Sequence, residues 1–107
     1  MTTYANTSYV AKNVGTSAST LTTVSSGTIA ITSLVVANTT SSPITTDVYF
    51  TRSATDYYIV KTATVPVGGS LEVIGGNRVV LIASDALKVV SSAAASADVV
   101  VSVLTAV

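Results

Sequence analysis

The sequence predicts one all-β domain: a single antiparallel β-sandwich of roughly eight strands, jelly-roll-like or Ig-like, spanning residues 1–107. Three observations carry this. Val, Ile and Thr dominate, while the helix formers Glu, Lys, Gln and Leu are scarce. Turn signals recur closely, from Gly15 and Gly27 through Ser41-Ser42-Pro43 to Gly68-Gly69 and Gly75-Gly76. A chain of 107 residues supplies one domain and has no room for two.

Tyr9 to Val14 reads as the first strand, closed by Gly15. The polar residues 1–8 ahead of it read as an extended N-terminal arm. Thr16 to Ser26 is loosely strand-like around Leu21 to Val24. Thr28 to Asn38 is a long strand in which Ile29 and Ile31 share one face and Leu34 and Val36 continue it out of phase. A β-bulge near Ser33 reconciles the two halves. After the turn at residues 39–43, Ile44 to Arg52 alternates cleanly: Ile44, Thr46, Val48 and Phe50 toward the core, Thr45, Asp47, Tyr49 and Thr51 away from it. Ser53 to Asp56 turns the chain into Tyr57 to Val65, which Pro66 and Gly68-Gly69 end. Leu71 to Ile74 is followed by Gly75-Gly76-Asn77, read as a hairpin turn, and by a return strand from Arg78 to Ser84. Asp85-Ala86 turns the chain again into Leu87 to Ser92. Ala93-Ala94-Ala95 is too short for a helix of its own. Asp98 to Val107 is the last strand, apolar on both faces.

Composition excludes several chemistries. No cysteine is present, so disulfides, thiolate metal sites and cysteine nucleophiles are out, and folding in a reducing cytoplasm fits. Five basic residues balance five acidic ones, which gives no long-range attraction to nucleic acid or anionic lipid. Charged residues make up 9%, against about a quarter in ordinary domains, and mean hydropathy is +0.66. Such a surface suits burial against neighbouring subunits. Residues 1–6 lack the basic and apolar stretches of a secretion signal, and the longest apolar runs fall far short of a bilayer span. Neither nucleic acid nor membrane is therefore an expected partner.

Catalysis finds little support. Asp56, Asp85 and Asp98 sit at turns, and Asp47 and Glu72 lie on strands where they are expected to face water. Nothing brackets any two of them as a glycosidase pair. Serines are abundant, but there is no histidine to serve as base. No Gly-x-Ser-x-Gly elbow supports a dyad with Lys12, Lys61 or Lys88. The paired glycines match no phosphate-binding fingerprint. A calcium site would need loop aspartates to converge, and EF-hand spacing is absent, so no metal or cofactor is expected. Arg52 to Lys61 mixes aromatic and basic groups, but a neutral chain lacks a wider basic patch. Asn6-Thr7-Ser8 and Asn38-Thr39-Thr40 match glycosylation acceptors by chance in a Thr-rich chain.

The segments Ser33-Leu-Val-Val-Ala-Asn-Thr39, Tyr57-Tyr-Ile-Val-Lys61 and Val65-Pro-Val-Gly-Gly-Ser-Leu71 resemble small β-sandwich structural proteins of tailed phages, cyanophages among them. Leu71 to Leu81, Ala83 to Val89 and Ala97 to Leu104 extend the likeness, which covers about residues 28–104. The resemblance implies a virion structural role, with assembly in the host cytoplasm and no catalytic residues. The expected function is that of a capsid decoration (cement) protein bound across the major capsid protein. The alternative is a neck, tail or fibre component, or a receptor-binding module using Tyr49, Tyr57 and Tyr58. Decoration proteins commonly sit at symmetry axes, so a homotrimer is the expected oligomer. The expected interface residues are Tyr4, Tyr9, Tyr57, Tyr58, Val101 and Val103.

Overall fold

The structure, a computed structural model, describes residues 4–76 and 78–106; the side chains of Tyr4 and Ala106 lie outside that description. The described residues form nine strands: β1 (Tyr4–Val14), β2 (Ser19–Thr23), β3 (Thr28–Asn38), β4 (Ile44–Arg52), β5 (Thr55–Val65), β6 (Ser70–Glu72), β7 (Val79–Ile82), β8 (Ala86–Ser91) and β9 (Ala97–Ala106). All pairings are antiparallel. One sheet runs β1-β9-β3 and is completed by β6 and β7, both on the free side of β3; the other runs β2-β8-β4-β5.

The expected hairpin at Gly75-Gly76-Asn77 is not there. β6 pairs with Val35–Ala37 and β7 with Thr28–Ile31, both antiparallel to β3 and neither paired with the other. They are two pieces of one interrupted edge strand. The chain leaves the edge between them through Gly75 and Gly76, whose φ angles of +61° and +87° suit glycine; Asn77 lies outside the described residues. With β6 and β7 counted as one line, the sheets are four-stranded. Their order, 1-9-3-6/7 and 2-8-4-5, is that of a jelly roll, which decides between the two sandwich types the sequence left open.

The expected arm is also revised. From Tyr4 onward the chain is already strand, in unbroken register with β9 from Tyr4↔Ala106 to Ala11↔Val99. Residues 1–3 lie outside the described residues. The bulge expected near Ser33 is present: Ser33 faces Ser102 while Ile31 faces Val103, leaving Thr32 as the extra residue.

The core lies between the sheets. Ile31, Leu34, Val36, Leu81, Val99, Val101 and Val103 project from the first sheet to meet Leu21, Ile44, Val48, Val65, Leu87 and Val89 of the second. Polar groups that enter the core are satisfied. Buried Asn38 donates through Nδ2 to the carbonyls of Ser42 (2.8 Å) and Val65 (3.1 Å) and accepts from Thr40. Its amide is thus spent on closing the β3–β4 turn. Buried Ser91 and Ser96 hydrogen-bond to each other, and Ser96 Oγ also donates to the Ala93 carbonyl at 2.7 Å.

Candidate interaction surface

The outer face of the first sheet follows from register. Val10, Val100 and Val35 stand opposite one another on β1, β9 and β3, so they share one row. Leu104, Ala30 and Val80 form a second row, and Ile82 opposite Thr28 extends it. Between the rows lie Ser8, Ser102 and Ser33, beside a shallow depression of about 310 Å³ that Asn6 and Thr32 also line. Val10 is 72% exposed, and Val100, Val80 and Ile82 are all exposed. This face is apolar and hydroxyl-rich. Of its described charges, Lys12 is paired with Asp98 at 3.3 Å at the margin and Glu72 is turned into the backbone, while Arg78 stands exposed just ahead of β7.

β9 needs a correction here. Val101 and Val103, expected at an interface, are in the core at 0% and 2% exposure. Side chains alternate along a strand, so the residues β9 offers outward are Val100, Ser102 and Leu104. Tyr9 is revised similarly: it faces inward, half-buried against the core. Tyr4 enters the description only through its backbone.

The outer face of the second sheet is of another kind. Lys88, Tyr49 and Tyr58 stand in one row across β8, β4 and β5. Tyr58 packs on Tyr49 with ring centroids 4.9 Å apart, and Lys61 Nζ lies 4.3 Å from the Tyr58 centroid. Burial, with the nearby Asp56 carboxylate second, pushes the Tyr49 phenol up from its usual range. Tyr57 belongs to the other side of β5, stacked on Phe50 at 5.5 Å at the rim of the core. Tyr57 and Tyr58 are both exposed but are not brought onto one surface. Tyr49 is buried, so Tyr49, Tyr57 and Tyr58 do not form the flat three-ring platform that would suit a sugar.

The carboxylates do structural work that the sequence did not reveal. Each of three sits where a strand bulges and leaves N–H groups without ladder partners. Glu72 accepts from Leu34 N–H (3.0 Å), Ser33 Oγ–H (2.8 Å) and Ile74 N–H (3.1 Å), at the β3 bulge and the break in the edge strand. Asp98 accepts from Asn13 N–H at 3.1 Å, where β1 slips register and Asn13 takes a φ of +56°. Asp47 accepts from Thr62 N–H at 2.7 Å, at a β5 bulge where Thr62 has a φ of +55°. Asp85 is buried and held by the Arg52 guanidinium, with Nη2 at 2.6 Å and Nε at 2.9 Å. Among the described residues no cluster of His, Cys, Asp and Glu could hold a metal ion.

These hydrogen bonds set the acid limit of the fold. The Leu34 N–H holds the Glu72 carboxyl below its usual range, Arg52 does so for Asp85, and the Asn13 N–H for Asp98. A carboxyl whose folded pKa lies below its unfolded value stabilises fully above the unfolded value, and that contribution is lost as pH falls through the folded one. The melting temperature should therefore be flat near neutrality and fall steadily below about pH 4. Glu72→Gln, which cannot titrate, should melt lower at pH 7 and show a shallower acid slope. Thermal melts of both proteins across that range check this.

The fold is thus a jelly-roll sandwich with one apolar and one aromatic, charged outer face. No protein-family model matches the chain, and no curated protein does. Among solved structures it is similar to a chain of the Bacillus endospore appendages, described as a novel family of disulfide-linked pili. That chain is 16% identical, with a TM-score of 0.60 over 98% of this chain and 89% of that one. At such identity the likeness is one of fold.

Proposed function

We propose that this protein is a non-enzymatic structural module of a phage virion, a capsid decoration protein that adheres across major capsid subunits after assembly in the host cytoplasm. The observation that carries the adhesive part is the outer face of the first sheet, where Val10, Val100, Val35, Leu104, Val80 and Ile82 are set among serines and threonines. Covering such a face removes apolar surface from water with little charge to desolvate. The phage setting rests on the sequence resemblance over residues 28–104.

The second reading is a subunit of an elongated assembly, such as a neck, tail or fibre. The fold match to a pilus-forming chain favours it. This chain has no cysteine, so no disulfide can link its copies.

Quantitative mass spectrometry of purified particles tests the proposal. Decoration requires a copy number close to that of the main shell protein. A few copies per particle would replace it with the neck, tail or fibre reading, and absence from particles would end both.

A further inference from the structure

A two-layer sandwich has four sheet edges, and three of them here carry features that discourage further strand pairing. β5 is long, but an extra residue at Ile59 and a second irregularity at Lys61-Thr62 break its register with β4, and Lys61 stands on it. The opposite edge of the first sheet is split into β6 and β7. β2 is five residues long and irregular between Thr20 and Thr22. Short, broken, bulged or lysine-bearing edges are the ordinary means of preventing edge-to-edge association.

β1 carries such features only at its end, where Lys12 stands and the register with β9 slips between Ala11 and Val14. From Tyr4 to Ala11 it is in unbroken register with β9, without proline or charge. Among the described residues it pairs with β9 only, so its other side offers a row of open N–H and C=O groups. The strand beside it in the second layer, β2 (Ser19-Thr20-Leu21-Thr22-Thr23), is uncharged as well. A partner strand could therefore approach Tyr4–Ala11 in both layers without meeting a charge, Lys12 standing just beyond that stretch.

We propose that β1 pairs antiparallel with β1 of a second copy, making a two-fold dimer whose first sheets are continuous across the dyad. The occupant follows from the other edges: among the described residues, Tyr4–Ala11 of β1 is the one stretch of edge a second copy can offer that is long, regular and uncharged. Like-with-like pairing is isologous and closes at two subunits, whereas pairing of unlike edges would propagate a filament. Side-chain alternation restricts the dyad to a residue position such as Thr7 or Ser8, so that core-facing residues stay core-facing in both copies. About seven residues then pair over roughly 23 Å. The dimer replaces the trimer expected from the resemblance, and it is independent of which surface the module covers in a particle.

Sedimentation of the intact chain should show reversible association to twice the 10.8 kDa chain mass. Asn6 and Ser8 are exposed on β1, and Asn6→Lys/Ser8→Lys places like charges across the dyad for either register. It should raise the dissociation constant at least about tenfold. Val80→Lys, on the interrupted edge, should leave it unchanged. Hydrogen exchange of the unaltered protein needs no variant: β1 amides should gain protection as concentration rises, and β5 amides should not. A monomer or trimer at all concentrations, loss of association with Val80→Lys instead, or protection appearing at β5 would each overturn the proposal.

Discussion

Val101→Lys should unfold most of the protein at pH 7, whereas Val100→Lys, one residue earlier, should leave it folded. Val101 has no exposed surface and packs between Leu34 and its neighbours in the core, while Val100 is 48% exposed. A lysine forced into such a site titrates near pH 5–6, against about 10.4 unfolded. At pH 7 that displacement costs about 5 kcal/mol, at 1.36 kcal/mol per pH unit, before the lost valine packing is added. A domain of this size has a total stability of about 5–15 kcal/mol. The lysine's pKa is depressed on folding, so the penalty is greatest at low pH and fades as pH approaches the unfolded value. Val101→Lys should therefore regain structure near pH 10. Val100→Lys should stay within about 0.5 kcal/mol of the parent. Circular dichroism melts of the three proteins at pH 7 and pH 10 check each arm. Equal stability of the two variants at pH 7 would mean that β9 does not have the orientation described.

This contrast marks where the sequence was legible. Strand phase could be read wherever polar and apolar residues alternate. In β4, Ile44, Thr46 and Val48 are buried as the pattern requires. In β3, the phase break between Ile31 and Leu34 located the bulge to within one residue. β9 carries valine at residues 99, 100, 101 and 103, so both faces read alike and periodicity could not say which was inner. The answer is set by β1 and β3 on its two sides. The break between β6 and β7 was hidden for a related reason. Gly75-Gly76 has the same local chemistry whether the chain reverses or makes an excursion and resumes its line, and only the partner strand β3 decides. Tyr57 and Tyr58 are adjacent in sequence and face opposite sides of β5, so adjacency promised a shared surface that alternation forbids.

The carboxylates were the least legible part, because their partners are distant in sequence. Glu72 serves an N–H at Leu34, and Asp98 one at Asn13. No local pattern connects these residues; the fold brings each acid to a place where a bulge has removed a ladder partner. Spending scarce charge on the backbone has a consequence for the surface. Glu72 lies opposite Val35 in the apolar row, yet its oxygens are turned toward the Leu34 and Ile74 N–H groups. The outer face of the first sheet is left without a free carboxylate there, which is the property on which the adhesive reading depends.

Asp85→Ala should lower stability by about 2–3 kcal/mol and the melting temperature by roughly 10–20 °C at pH 7. Asp85 joins both layers. It follows β7 of the first sheet and precedes β8 of the second, and Arg52, which holds it, ends β4. Its carboxylate also accepts from the Ile82 N–H at 2.9 Å, while its main-chain carbonyl accepts from the Val24 N–H at 2.9 Å. Removing the side chain strands the Ile82 N–H and ends the charge-assisted fork with Arg52. The loss stays moderate because Arg52 is partly exposed and can turn to water. The opposite truncation, Arg52→Ala, should be the more damaging, since it leaves an ionised carboxylate buried with one remaining donor. Its harm should lessen as pH falls and Asp85 takes up a proton. Both variants should therefore approach the parent as pH falls: Asp85→Ala because the parent loses an acid-sensitive contribution that the variant lacks, and Arg52→Ala more steeply, because protonation of Asp85 also relieves its own buried charge. If the two variants instead matched the parent at pH 7, the pair would be an ornament of the surface and the two layers would be held together by their apolar core alone.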